Sequence, residues 1–302
     1  VKILIAEDDP VSRRILEAKL AKWGYEVLVT ANGDEAWRAL QADDAPNLVI
    51  LDWMMPGLDG VEICKKMRKD DREPYAYIIL LTSLHREEDL ITGMEAGADD
   101  YITKPFNSSE LRVRLRAGMR IIELQNELIE AREALREQAT HDPLTGLWNH
   151  TEILHILERE LSRAERENGH VSMIMADLDH FKNINDRYGH MAGDSVLRLT
   201  TSRMNSLMRS YDYIGRYGGE EFVIVLPGCD RESAAAFAER LRLCIGSESM
   251  DIPEGMIPVS ISLGVATSSR EKRYDIDSLI QAADQALYRA KENGRNRVES
   301  QS

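Results

Sequence analysis

Short apolar runs punctuate the first third of the chain, and a polar side chain follows each of them closely. Ile3-Leu4-Ile5, Leu48-Val49-Ile50-Leu51 and Ile78-Ile79-Leu80-Leu81 alternate with longer amphipathic stretches. Runs of this kind suit strands buried on both faces of a parallel sheet, with helices between them. Glu7 and Asp8 follow the first run, Asp52 ends the third strand and Thr82 the fourth. Lys104-Pro105 follows a fifth strand, Asp100-Tyr101-Ile102-Thr103. Parallel strands bring all their C-terminal ends to one edge, where open α/β sheets bind ligands. Taken singly, these residues would read as helix caps or loop charges. Their convergence reads as a phosphoryl-transfer site: a metal pocket, a carboxylate nucleophile, and a cation for the developing charge.

From Leu111 the pattern turns helical and does not stop where a compact domain of this type would end. No Pro lies between Pro105 and Pro143, and the only Gly there is Gly118. Ile121, Leu124, Leu128, Ala131, Leu135 and Gln138 follow spacings of three and four, an a/d seam flanked by Arg and Glu. The seam joins two domains with no core between them. It therefore predicts a parallel two-stranded coiled coil rather than a helix packed on its own domain.

Two further apolar segments end in acid. Val171 to Asp179 closes on Asp177 and Asp179, with His180-Phe181-Lys182 at the start of a helix. Tyr213-Ile214 and Phe222 to Leu226 read as the strands of a hairpin, with Gly218-Gly219 supplying the positive φ of a two-residue turn. Glu220 and Glu221 then sit on that turn. An isolated acidic turn is ordinarily a solvated one, but beside the other acidic strand end it places Asp177 opposite Glu220. Hard oxygen ligands suit Mg²⁺, which takes one or two carboxylates and leaves other positions to water and substrate phosphates. Two such ions allow in-line displacement at phosphorus. Ser233 to Ile245 and Ile276 to Lys291 read as packing helices.

At 302 residues the chain exceeds what one core usually serves, so two domains are expected. A net charge of −14 argues against a nucleic-acid scaffold but leaves nucleotide binding open. Cys64, Cys229 and Cys244 form no Cys-x-x-Cys pair and read as small apolar fillers in a reducing compartment. No signal peptide or apolar run of membrane-spanning length is seen, so a soluble cytoplasmic protein is expected. The chain opens on Val1 without an initiator Met, which reads as a trimmed numbering.

Motifs in the second half carry a specific resemblance. Asp-Pro-Leu-Thr-Gly-Leu-Trp-Asn (142–149), Asp-Leu-Asp-His-Phe-Lys-Asn-Ile-Asn-Asp (177–186), Gly-His-Met-Ala-Gly-Asp (189–194), Gly-Gly-Glu-Glu-Phe (218–222), Ser-Leu-Gly-Val-Ala (262–266) and the stretch 283–296 occur in order. Together they resemble the GGDEF catalytic domain of diguanylate cyclases in its GGEEF spelling. The first third resembles a response-regulator receiver domain over its whole length.

The receiver resemblance implies Asp52 as phospho-acceptor, with Glu7, Asp8, Asp52 and the Met54 carbonyl around Mg²⁺. Thr82 and Lys104 would bind the phosphoryl group, and Tyr101 would be the aromatic that changes rotamer. Glu7 stands where an Asp is more usual, and Lys104-Pro105 is expected to be cis. The cyclase resemblance implies Asp177, Glu220 and the Leu178 carbonyl as Mg²⁺ ligands. Glu221 either binds metal or helps deprotonate the 3′-hydroxyl. Asn185 and Asp194 would read guanine, Asp194 by accepting from N1–H and N2–H₂ together. Lys182, Lys291, Arg295 and Arg216 would neutralise phosphates, with backbone N–H groups near Phe181 and Lys182 at a helix start. Arg209-x-x-Asp212 matches the family's product-inhibition site, and His150 departs from the family in replacing an Arg.

The expected architecture is α/β: a flavodoxin-like doubly wound receiver (1–118), a helical coiled-coil linker (119–140), and a nucleotidyl-cyclase-like GGDEF domain (141–302) with a mainly antiparallel sheet. The expected function is a phosphorylation-activated diguanylate cyclase. It would condense two GTP into cyclic di-GMP across a homodimer, with a histidine kinase as phosphodonor, Mg²⁺ at both sites, and neither DNA nor membrane as partner. A degenerate nucleotide-binding module would have lost Asp177, Glu220 or Asp194, none of which is missing. A DNA-acting regulator would carry a helix-turn-helix and a basic surface after the linker. Another purine cyclase is opposed by Asp194.

Overall fold

The computed structural model describes residues 1–70, 73–83 and 87–301. The chain divides into two compact units, Val1–Glu133 and Ala134–Ser302.

The first unit runs β1 (Lys2–Ala6), α1 (Pro10–Lys22), β2 (Glu26–Thr30), α2 (Gly33–Leu40), β3 (Leu48–Asp52), α3 (Gly60–Lys69), β4 (Tyr77–Thr82), α4 (Glu87–Glu95), β5 (Asp100–Thr103) and into α5 (Ser108–Thr140). All pairings in its sheet are parallel, in the order β2-β1-β3-β4-β5. Alternate residues of the apolar runs fill two cores. Leu4, Val49, Leu51, Ile78 and Leu80 pack on one face; Ile3, Ile5, Ile50 and Ile79 meet Leu16, Leu20, Leu111 and Leu115 on the other. Each such side chain, fully buried, contributes about 1.5–3 kcal/mol.

Local chemistry holds the loops at the C-terminal edge of this sheet. Asp9 caps α1 through the Ser12 N–H at 2.8 Å, with Pro10 opening the helix. Asp59 and Glu62 form a reciprocal capping box on α3. Gly60 follows, and a Cβ there would come within 2.5 Å of the Asp52 carbonyl oxygen. Only glycine lets α3 start this close to the strand that carries Asp52.

The helix α5 begins at Ser108, before the expected Leu111, because Asn107 caps it: its carbonyl accepts from Leu111 N–H and its side chain from Ser109 N–H. At 33 residues it is ~50 Å long. Leu111 and Leu115 are buried and Gly118 lies against the Tyr77 ring, whereas the seam residues Ile121, Leu124, Leu128 and Leu135 are exposed.

The second unit runs α6 (His150–Glu167), β6 (Val171–Leu178), α7 (Phe181–Tyr188), α8 (His190–Asn205), β7 (Tyr213–Gly218), β8 (Glu221–Pro227), α9 (Arg231–Gly246), β9 (Met250–Ile252), β10 (Gly255–Ile257), β11 (Ile261–Ser268), α10 (Ile276–Glu292) and β12 (Val298–Ser300). Its main sheet has the order β12-β11-β6-β8-β7, antiparallel except where β12 joins β11. The central strand β6 is buried along its whole length. α10 presses onto β11 at Gly264, where a Cβ would stand 2.2 Å from the Ala283 carbonyl oxygen. That close approach sets the position of Lys291, near the end of α10.

The hairpin differs from the sequence expectation. β7 continues to Gly218, which pairs with Glu221, so the two turn residues are Gly219 and Glu220. Of the two glycines Gly219 alone has positive φ, at 51°. The register shifts between Arg216 and Gly218, a bulge at Tyr217 that adds the residue the shorter reading lacked.

Candidate functional site

In the second unit, Asp177 on β6 has Glu221 as its direct antiparallel partner. Directly paired residues share a face of the sheet. The expected juxtaposition of Asp177 with Glu220 is corrected accordingly: Glu221 stands across from Asp177, and Glu220 occupies the adjoining turn, its carbonyl accepting from Leu178 N–H at 3.3 Å. Lys291 reaches over from α10, its Nζ 2.7 Å from Asp177 Oδ2. Burial pushes the Asp177 pKa up; Lys291 opposes this, and the charges of Glu220 and Asp179 reinforce it. Burial also raises Glu221, with the Asp177 charge next in weight. Three carboxylates thus share a strand end with one ammonium among them.

Asp179 does a different job. Its Oδ2 accepts from Ser260 Oγ at 2.7 Å and from Asn296 N–H at 3.0 Å, and its Oδ1 from Ser262 Oγ at 2.7 Å. It ties the ends of β6, β11 and the loop after α10 together behind the site. Sequence reasoning saw this aspartate only as the end of an acidic strand, because all three partners lie at least 81 residues away.

His180 adopts a left-handed conformation (φ 58°), which turns the chain from β6 into α7 with Phe181 and Lys182 in its first turn. Gly189 (φ 87°) breaks the helical path between α7 and α8, folding Asn185 toward the segment that carries Asp194. Asn185 packs against Gly193: a Cβ on Gly193 would meet Asn185 Oδ1 at 2.0 Å. Lys182 is exposed, while Asn185 and Asp194 are half-buried.

Arg216 is committed within the protein. Its Nη1 donates to both Asp142 carboxylate oxygens at 3.1 Å, while Nε and Nη2 donate to the Gly219 carbonyl at 3.0 and 2.8 Å. Burial would raise the Asp142 pKa, but hydrogen bonds from Thr145 and the Arg216 charge hold it below the usual value. Arg295 lies beyond α10 in a left-handed conformation, exposed, its N–H bonded to the Ala290 carbonyl. The His150 ring lies against Tyr217, the bulge residue, with centroids 4.4 Å apart and planes tilted by 44°.

Arg209 and Asp212 form a compact turn in which Asp212 Oδ2 accepts from Arg209 N–H at 3.0 Å. Both line a cavity of about 260 Å³ with Leu226, Cys229, Phe237 and Arg240. Arg240 is a cation that motif reading missed. It lies on α9, whose sequence pattern signals only a packing helix.

In the first unit, Lys104 Nζ donates to Asp52 Oδ2 at 2.8 Å and to Glu7 Oε1 at 2.9 Å. It also stands 2.7 Å from Glu7 Oε2, so both oxygens of that buried carboxylate face the ammonium. Burial raises the Glu7 pKa against the opposing Lys104. For Lys104, burial works against the ammonium but its bonds to Asp52 and Glu7 outweigh it, and its pKa is raised. Thr82 is buried at the end of β4, its carbonyl accepting from Lys104 N–H at 2.7 Å. Tyr101 is half-buried, Met54 is exposed just past β3, and Lys104-Pro105 is cis.

Both clusters fit a hard divalent cation. One ligand oxygen from each of Glu7, Asp8 and Asp52 lies within 4.8 Å of the others, the convergence of that kind found among the described residues. Around Asp177 the carboxylates do not converge as tightly among the described residues, and Lys291 pairs with Asp177 itself, but their oxygens are the donors that Mg²⁺ prefers.

The comparisons with known proteins agree with this reading. Residues 139–297 match the family described as Diguanylate cyclase, GGDEF domain, and residues 3–116 match the Response regulator receiver domain. The chain belongs to the GGDEF family and carries a receiver domain. It is 29% identical over 299 residues to Response regulator PleD of Caulobacter vibrioides (strain NA1000 / CB15N), covering 98% of this chain and 65% of PleD. It is 38% identical over 203 residues to Diguanylate cyclase DosC of Escherichia coli (strain K12), covering 65% of this chain and 43% of DosC. The crystal structure of the coiled coil and GGDEF domain of DgcB from Caulobacter crescentus, in complex with c-di-GMP, aligns with a TM-score of 0.57 at 30% identity. That alignment covers 63% of this chain and 98% of the DgcB chain. The chain thus spans less than two thirds of the length of either curated relative. No helix of the described residues is long and apolar enough to cross a membrane.

Proposed function

We propose that this protein is a diguanylate cyclase whose activity is set by phosphorylation of Asp52. The observation that carries the reading is the strand end where Asp177, Glu220 and Glu221 meet Lys291, with Asn185 and Asp194 on the helices that follow β6. Asn185 and Asp194 orient guanine; the backbone N–H groups at Phe181 and Lys182 receive phosphate at a helix start. Asp177, Glu220 and the Leu178 carbonyl would hold Mg²⁺, which when bound supplies charge for the α-phosphate and the departing pyrophosphate. Glu221 ligates alongside them or takes the 3′-hydroxyl proton.

Each protein chain holds one GTP, so two chains face each other. Each 3′-oxygen forms a bond to the other nucleotide's α-phosphorus as the bond to the β-phosphate oxygen breaks. Two bonds formed yield one cyclic di-GMP, two pyrophosphates and two protons. The exposed seam of Ile121, Leu124, Leu128 and Leu135 supports a parallel coiled coil as the element that brings the two sites together. Phosphorylation converts the singly charged Asp52 carboxylate, beside Lys104, into an acyl phosphate carrying close to two negative charges, and a histidine kinase is the donor class. The cavity around Arg209, Asp212 and Arg240 serves product inhibition, with arginine donors for guanine or phosphate.

The deciding experiment incubates the chain with GTP and Mg²⁺, with and without beryllofluoride, and analyses the products. Cyclic di-GMP that rises with beryllofluoride is expected. Equal rates would remove receiver control, and GTP bound without turnover would replace the enzyme with a nucleotide-binding module.

A further inference from the structure

The salt bridge between Lys291 and Asp177 bears on how metal and nucleotide arrive. Asp177 is nearly buried, with Glu221 across the strand pair and Glu220 on the turn. An uncompensated carboxylate in that setting is costly, and an opposite charge is what makes it tolerable. That charge is Lys291 Nζ, 2.7 Å from Oδ2, a distance at which a metal ion would compete for the same oxygen. Lys291 is itself about one-third exposed on a flexible stem, so it can leave without unfolding α10. The first unit repeats the arrangement, with Lys104 on Asp52 and Glu7.

We infer that Lys291 is a resident counter-ion that occupies the metal-facing oxygen of Asp177 until a nucleotide triphosphate draws its ammonium away. The consequence is an order of binding. Divalent metal alone is repelled by the ammonium; metal carried with a triphosphate is admitted, because the phosphates offer Lys291 a replacement anion. Lys291 thereby controls the access of the metal to Asp177 as well as contacting phosphate. The inference rests on the metal-using cyclase reading above.

The test uses Mn²⁺ as probe and the paramagnetic resonance of free Mn²⁺ as readout. The full chain carries Asp8→Asn and Asp52→Asn to silence the other carboxylate cluster. Without nucleotide, this protein should take up Mn²⁺ weakly; with a nonhydrolysable GTP analogue it should show a saturable site beyond the Mn²⁺ that the analogue chelates without protein. Lys291→Met should bind Mn²⁺ without nucleotide at least about tenfold more tightly, while Lys291→Arg, which keeps the charge, should not. If Lys291→Met does not fold, Lys291→Gln serves the same comparison. A nucleotide-independent Mn²⁺ site of equal affinity in all variants would overturn the counter-ion role and leave the cyclase reading intact. Absence of any Mn²⁺ site even with the analogue would overturn both.

Discussion

Arg216 Nη1 donates to both carboxylate oxygens of Asp142, and the same guanidinium grips the carbonyl of Gly219 on the acidic turn. Asp142 follows the segment Ala139–His141, which Asn149 in turn secures: its side-chain amide donates to the Ala139 carbonyl and its N–H to the Thr140 carbonyl. The end of α5 and the turn that carries Glu220 are therefore joined by a short run of hydrogen bonds, most of them charge-assisted at the turn.

Breaking that strut should loosen the turn. Arg216→Ala leaves Asp142 half-buried without its cation and the Gly219 carbonyl without its donors, a loss of about 1–3 kcal/mol. Thermal melting should register the destabilisation, and turnover should fall further than nucleotide affinity. Equal losses in both would assign Arg216 to direct nucleotide binding instead.

Gly193→Ala should act on the base site while sparing the fold. The new Cβ meets the far end of the Asn185 side chain, which can swing away, and the Phe181 ring at 3.1 Å, which must give by a few tenths of an ångström. A misplaced Asn185 gives up one hydrogen bond, so affinity for a GTP analogue should drop by about tenfold in calorimetry. An unaltered affinity would show that Asn185 does not touch the base.

The raised Asp177 pKa makes a statement about stability. Its folded value lies above the unfolded 3.8, so between the two the folded state holds more protons than the unfolded one. Stability of the metal-free protein contributed by this group must then fall as pH rises through that window, and stay reduced at neutral pH. Asp177→Asn removes the penalty. In chelator at pH 7 its melting midpoint should exceed wild type, each kcal/mol of relief moving it ~2–4 °C, and the advantage should vanish as pH approaches the unfolded value. Turnover should be lost. A lower midpoint at pH 7 would mean that the ion pair with Lys291 outweighs burial.

Arg209→Ala should leave initial rates intact and weaken inhibition by added cyclic di-GMP. Arg240→Ala should do the same, since both cations line one cavity. Progress curves with and without product separate the effect from catalysis; curvature unchanged in both variants would take the cavity out of the inhibitory scheme.

Much of this protein was settled by residues near one another in sequence. The buried runs of the first unit dictated a parallel sheet, since side chains apolar on both faces need helices on both sides. Strand ends and turn motifs named Asp52, Lys104, Asp177 and Glu220 because the chemistry follows the end of each apolar run. The seam of α5 was equally legible, since a three-four spacing is a property of one helix. Tertiary structure decided what depends on register and on approach between distant elements. A bulge at Tyr217 moved the turn by one residue, and the separate register of β8 on β6 put Glu221 opposite Asp177; periodicity senses neither, because the apolar pattern of β8 is the same in either case. Arg216 found Asp142 74 residues away, and Asp179 was drawn into anchoring rather than chemistry. Gly60 and Gly264 are points of contact between helix and strand. Lys291 came to rest on Asp177 because α10 packs onto β11 at that glycine, a distance set by the absence of one methyl group.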